Sequence, residues 1–268
     1  MPVLLSNLEG IKKNFLSKDN DYLLTIVGRE GSGKSTLGIK ICRTIDPNFN
    51  IDRIVFSGLG FIKAILKAKP KEAILWDEAG EGGYSRDSMK RMNNLINKAL
   101  MYSRAKQLFF VVIIPNFFML DKFLRITRVG LMCYIKKRGN AQLYSNKSKS
   151  NKPSSIVELT IKGQRTYNMD CVRPDGYDTF KKLGNLYPEW GEDGEQFKQY
   201  FEKKMNFIQK FLKESQEQLE GESAKSTPHR VLLSKIMTYM TSIHSWGEIS
   251  ALVGMNEKKL KRIYQETI

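Results

Sequence analysis

Three short runs of apolar, β-rich residues interrupt the polar background of the first half of the chain, Tyr22–Val27, Ala73–Trp76 and Leu108–Ile114, and a further segment, Ile51–Phe56, also reads as a strand. Runs of this length without polar alternation are how strands buried on both faces read. Between them the apolar spacing lengthens to that of helices. From Lys34 to Thr44 it puts Leu37 and Ile41 on one side, in line with Ile45, and Phe61–Lys67 forms a short amphipathic helix. A longer helix over Ser85–Ser103 aligns Met89, Met92, Leu95, Ile96, Ala99 and Leu100, and a helical piece around Phe118–Leu124 follows the last strand. Strands alternating with helices over residues 20–135 predict an α/β fold: a mostly parallel central sheet flanked by helices. Right-handed crossovers bring the C-terminal ends of such strands to one edge. Gly28, Asp77 and Pro115 each follow a strand, so all three gather there.

Past residue 130 the pattern changes. Gly130–Ile135 and Ala141–Ser145 read as a hairpin turned at Arg138-Gly139-Asn140, and Asn146–Ser155 as a basic loop. Ile156–Ile161 reads as one more strand. Phe197–Leu219 is a helix whose stripe of Phe201, Met205, Ile208, Phe211 and Leu212 packs on the core or on a neighbouring subunit. Glu220–Pro228 is a polar, breaker-rich linker. The expected organisation is a core at 1–165, a helical extension and linker at 166–225, and a small all-α unit at 226–268. In that last unit Trp246–Ile263 looks like a helix-turn-helix, with a glycine turn at Gly254, Asn256 capping the second helix, and Arg230–Tyr239 supplying a preceding helix.

The turn after the first strand carries the clearest chemistry. Gly28-Arg29-Glu30-Gly31-Ser32-Gly33-Lys34-Ser35, followed by Thr36, matches GxxxxGK[ST] in full, between a strand and a helix. Glycines let backbone amides close on phosphates at a helix start, Lys34 reaches the β- and γ-phosphates, and Ser35 ligates magnesium. The implied cofactors are ATP and Mg2+. Asp77, at the tip of the third strand, is the second magnesium residue, and Glu78 beside it polarises the attacking water. Asn116, after the last strand, either senses the γ-phosphate or simply ends the strand in a turn.

Three pieces resemble the FtsK–HerA group of DNA-pumping P-loop ATPases, in its zonular occludens toxin-like and viral genome-packaging branches. They are GREGSGKST from Gly28 to Thr36, ILWDEAGEG from Ile74 to Gly82, and YSRAKQLFFVVIIPNFFMLDKFLR from Tyr102 to Arg125. The likeness covers roughly residues 20–145. The group usually has glutamine after the strand that here ends in Pro115-Asn116. The resemblance implies a homo-oligomer, commonly a hexameric ring, with ATP between subunits and an arginine supplied by the neighbour; Arg104, Arg125 and Arg128 are the candidates for it.

Charge extends the picture to a partner. Lys and Arg outnumber Asp and Glu by 44 to 28, a formal net charge of +16, which attracts polyanions, DNA first among them. Lys136, Lys137 and Arg138, with Lys147, Lys149 and Lys152, cluster at the hairpin and loop; Lys258, Lys259, Lys261 and Arg262 decorate the second helix of the helix-turn-helix pattern, where phosphate or base contacts would be made. Solvated basic surface is the plainer alternative at the hairpin, and protein binding is the alternative for the C-terminal unit. Tyr134 and Tyr144 flank the hairpin charges, for stacking on bases or packing in the sheet. Cys42, Cys133 and Cys171 form no CxxC pair and lie far from His229 and His244, against a zinc site and in favour of a reducing, cytoplasmic setting. No stretch reaches the roughly 20 apolar residues of a membrane helix. Two functions fit: an ATP-driven motor on double-stranded DNA, or an ATP-dependent DNA-binding switch.

Overall fold

The computed structural model describes residues 3–17, 20–77, 79, 86–148, 152–179, 187–190, 194–213, 245–247, 250, 256–258 and 261. The chain divides into two units, Met1–Lys204 and Met205–Ile268.

In the first unit a seven-stranded sheet runs β2-β3-β4-β1-β5-β6-β7. Its strands are β1 (Tyr22–Gly28), β2 (Ile54–Val55), β3 (Ala73–Trp76), β4 (Phe109–Ile114), β5 (Val129–Lys137), β6 (Asn140–Ser145) and β7 (Gly176–Thr179). The first five are parallel to one another; β6 and β7 join antiparallel. β3 and β4 are buried along their whole length and β1 from Leu23 onward, as their unbroken apolar runs require. Helices α2 (Lys34–Ile45), α3 (Gly58–Lys67), α4 (Arg86–Tyr102), α5 (Lys122–Thr127) and α6 (Ser155–Gly163) make the connections, with α1 (Val3–Ser17) leading into β1. The arrangement is mixed α/β, a mostly parallel sheet flanked by helices. α2 lies very close to the sheet at Gly38, where a Cβ would come within 2.9 Å of the Ile113 side chain and 3.0 Å of Leu75. That approach seats α2, the helix that follows the Gly28–Gly33 loop, against β1, β3 and β4.

Three segments differ from the sequence expectation and one, the N-terminus, had none; each has a local reason. Ile51–Arg53 is a 3-10 turn, which shortens the expected strand to Ile54–Val55. Asn50 accepts from the Asp52 amide, and Arg53 reaches back to Asp46 and the Asn48 carbonyl. Ile156–Ile161 is helix, not strand: Ser154 caps Val157, Lys162 pairs with Glu158 one turn back, and Ile156, Leu159, Thr160 and Gly163 are buried at helical spacing. The N-terminal patch is a helix, α1, that buries Leu4, Leu8 and Phe15 and donates from the Leu4 amide to Asp178 of β7. The sheet itself continues beyond residue 165 through β7, and residues 166–204 fall in the first unit. On α4, Ile96 and Leu100 are buried but Leu95 is exposed, so the core-facing stripe omits it.

In the second unit residues 205–213 are helical, as are 246–247 and 257–258. The Asn256 side chain accepts from the Lys258 amide at 2.9 Å, the cap expected at that helix start. Lys261 pairs with Glu257 and lies over the Trp246 ring. Lys259, Arg262, Gly254 and Arg230–Tyr239 lie outside the described residues, as does the expected 220–228 linker. No described helix is long and apolar enough to cross a membrane.

Candidate nucleotide site

The register puts the tips of three adjacent strands side by side. Val27 of β1 stands beside Ile114 of β4, and Trp76 of β3 beside Val112 of the same strand. β4 therefore separates the phosphate-loop strand from the aspartate strand, and Pro115-Asn116 emerges between them. Beyond β3 the Asp77 amide donates to the Val55 carbonyl at 2.8 Å and the Ala79 amide to Ile113 at 2.9 Å. These bonds carry the pairing past the strand end and fix Asp77 at the edge.

The loop from Gly28 to Gly33 turns through left-handed backbone at Gly31 (φ 69°) and Gly33 (φ 89°), positions that side chains rarely adopt. A Cβ at either would meet nothing within 4 Å, so open space lies against the loop. Gly33 is also the N-cap of α2 and has no side chain to satisfy the first-turn amides. Lys34 folds back over the loop, its ammonium donating to the Gly28 and Arg29 carbonyls at 2.8 and 2.7 Å. The Ser35 hydroxyl lies 3.3 Å from Asp77 Oδ1. Ser32 Oγ is buried and has no hydrogen-bond partner among the described residues. Gly31, Gly33, Lys34, Ser35 and Asp77 border a cavity of about 470 Å³, also lined by Pro115, Arg138 and three aromatic residues at 197–201.

An ATP molecule with one magnesium ion fits this donor set. The uncapped helix start and the buried Ser32 hydroxyl favour an anion, Lys34 supplies charge, and Ser35 with Asp77 offers the hard oxygen ligands magnesium takes. Ser35 and Asp77 would hold the metal, and Lys34 with the 28–36 loop the phosphates.

The remaining sequence candidates divide. Glu78 lies outside the described residues. Asn116 caps the following turn, its Oδ1 accepting from the Phe118 amide at 2.9 Å, so the turn role is realised. Arg125 is buried: its guanidinium stacks over Phe117 and Phe118 and donates to Gln164. Burial also lowers its pKa from the usual arginine value. Arg128 pairs with Asp21 and donates to the Leu100 carbonyl. Both guanidiniums are engaged within their own subunit. Arg104 is exposed, before β4, at the edge opposite the phosphate loop. Lys137 and Arg138 are exposed at the β5–β6 turn, while Lys136 bonds Asp170 at 2.8 Å, which raises its pKa. Tyr144 is a core residue whose hydroxyl lies among Gln142 and the Met169 and Val172 carbonyls, so it packs in the sheet.

Sequence reasoning missed two residues at the centre of the site. Asp77 is fully buried, and its Oδ2 accepts from the Tyr200 hydroxyl at 2.5 Å and lies 3.5 Å from the Lys204 ammonium. Both sit on a helix at 195–204, with Tyr200 buried against Phe197 and Phe56. Phe201, which the apolar stripe put either on the core or on a neighbouring subunit, is 55% exposed. Phe197, Tyr200 and Lys204 share one helical face in the sequence, yet nothing local ties that face to an aspartate 123 residues earlier.

No protein-family model and no curated protein matches the chain. Among solved structures it is similar to the N-terminal domain of zonular occludens toxin from Neisseria meningitidis, at 17% identity over 53% of this chain and 91% of that one, with a TM-score of 0.33.

Proposed function

We propose that the protein is a magnesium-dependent ATPase that drives DNA movement, of the translocating, packaging or transfer type, working as a homo-oligomer. A hexameric ring is the arrangement the sequence resemblance implies. The observation that carries the nucleotide half is the Ser35–Asp77 pair, a hydroxyl and a carboxylate 3.3 Å apart beside an uncapped helix start. With magnesium there and Lys34 on the phosphates, Glu78 follows Asp77 directly in sequence and serves as the base toward water.

The DNA half rests on charge and position. The chain carries a formal net charge of +16. Lys137 and Arg138 are exposed at the β5–β6 turn, and Arg138 also lines the nucleotide cavity. A polyanion held at that turn is close enough to feel changes in phosphate charge. Arg104, exposed and outside its own cavity, is the arginine we assign to a neighbouring copy's γ-phosphate. An alternative, a slow ATP-dependent DNA-binding switch, draws on Asn256 capping the start of a lysine-bearing helix in the second unit.

Steady-state ATP turnover with and without non-specific double-stranded DNA separates these readings. The motor predicts stimulation by any DNA sequence, abolished in Lys34→Ala and Glu78→Gln. Slow turnover indifferent to DNA, with nucleotide binding intact, would remove the motor and leave the switch.

A further inference from the structure

Resting on the nucleotide reading above, we infer that Tyr200 and Lys204 form a latch that competes with magnesium for Asp77. The two oxygens of this carboxylate are divided. Oδ1 faces Ser35, the hydroxyl that would share the metal, whereas Oδ2 is taken by the Tyr200 hydroxyl and the Lys204 ammonium. A buried carboxylate needs a compensating charge, and Lys204 supplies a single positive one. Magnesium supplies two, at shorter range and to the same group. The two cations repel each other, so binding the metal drives Lys204 off Oδ2.

The helix bearing the latch is docked independently of Asp77. Lys203 donates to the Ile51 and Ile54 carbonyls at 2.8 Å each, and Tyr200 packs its ring against Phe56. Lys204 is the last residue of the first unit, and the chain enters the second at Met205. The latch thus sets the magnesium concentration at which the site loads. Tyr200 and Lys204 act through Asp77 and are positioning residues.

The test is a titration of the full-length protein with magnesium at fixed fluorescent ATP analogue, read as nucleotide binding rather than turnover. Lys204→Gln removes the competing charge and should lower the half-saturating magnesium concentration about tenfold, as expected for one part-buried ion pair. Tyr200→Phe keeps the ring packing and should lower it about threefold, the loss of one hydrogen bond. Gln199→Ala, on the same helix away from Asp77, should leave it unchanged. Ser35→Ala should raise it, which tests the site itself. Unchanged or raised half-saturation in both latch variants would overturn the latch. Wild-type protein that binds no nucleotide at any magnesium concentration would instead remove the nucleotide reading.

Discussion

The two edges of the parallel sheet treat buried charge in opposite ways. Where strands begin, each charge has a committed partner. Asp46 holds the Arg53 guanidinium together with the Asn48 and Ala73 amides, and Asp21 holds Arg128. The Lys106 ammonium closes three carbonyls at the end of α3, at 2.8 to 3.0 Å. Where strands end, Asp77 is held instead by two hydroxyls and one ammonium, and Lys34 by two carbonyls of its own loop. Burial does not tell the two aspartates apart, since the side chains are 8% and 1% exposed. Partner type does. A carboxylate bound by a guanidinium and two amides is a fixed tie between helix and strands, whereas hydroxyl and lysine partners give way to a phosphate or a metal.

That contrast is broken or upheld most sharply by one substitution at each edge. Lys34→Ala should lower ATP turnover by about 10²–10³-fold, the loss of a cation facing developing charge. Its stability to urea should stay within about 0.5 kcal/mol of the parent, because its ammonium bonds at Gly28 and Arg29 go to carbonyls of an open loop. Asp46→Ala should do the reverse, costing about 3 kcal/mol of stability by leaving Arg53 with the Glu72 carboxylate at 3.7 Å and the Asn48 and Ala73 amides without this acceptor, with turnover per folded molecule retained. If Asp46→Ala also removed turnover from folded protein, the two edges would not be separable.

The parallel half of the fold was legible because its signals are local. An apolar run ending in glycine, or in Asp-Glu, states both the strand and what sits at its tip, and β1, β3 and β4 stand where their runs lie. The later half depends on partners distant in sequence. Ile156–Ile161 is compatible with either period, and the Ser154 cap together with burial against β5 and β6 makes it helix. β7 is four residues, Gly176–Thr179, with little apolar pattern, and pairs only because β6 is there. The site was legible in the same proportion. The loop and Asp77 announce themselves, while Tyr200 reaches Asp77 across 123 residues and reads as one more aromatic in a helix. Charge alone also misleads: Arg125 and Arg128 look like free arginines, but Phe117, Phe118 and Asp21 engage them.

A smaller effect probes Asn116, which lies between the tips of β1 and β3 and carries a cap bond to Phe118. Asn116→Ser retains an oxygen for the cap and removes the amide donor, so stability should stay within about 0.5 kcal/mol. Asn116→Ala removes both and should cost about 1 kcal/mol in urea unfolding. Turnover in the serine variant decides what the amide does. Parental turnover would assign Asn116 to the edge as a turn-former alone, and a fall of about tenfold or more would add it to the phosphate machinery.

Away from the two edges, the thiols of α2, β5 and the segment after α6 test how closed the protein is to solvent. Cys42 and Cys133 are buried, and Cys171 is partly exposed with its Sγ donating to the Asn168 carbonyl. Burial pushes the Cys133 thiol up to about 12, with the Asp178 carboxylate adding to the shift, and burial raises Cys42 well above its usual value of 9.0. A thiol reagent at pH 8 should therefore modify Cys171 in native protein and all three cysteines after denaturation. The same shift has a defined sign in stability. Below pH 9 the Cys133 thiol is protonated in both states and contributes its full share; between about pH 9 and 12 the unfolded thiol ionises while the native one does not. Unfolding then becomes easier by up to about 1.4 kcal/mol per pH unit for that group. Tyr22 and Tyr144, also raised by burial, add a slope of the same sign from about pH 10 upward. Comparing Cys133→Ala with the parent isolates the thiol. The variant loses a constant amount to packing, but its stability should fall less steeply from pH 9 to 10. Equal slopes would mean that the thiol ionises in the native sheet, and that the middle of β5 is as open to solvent as the edge where β1 ends.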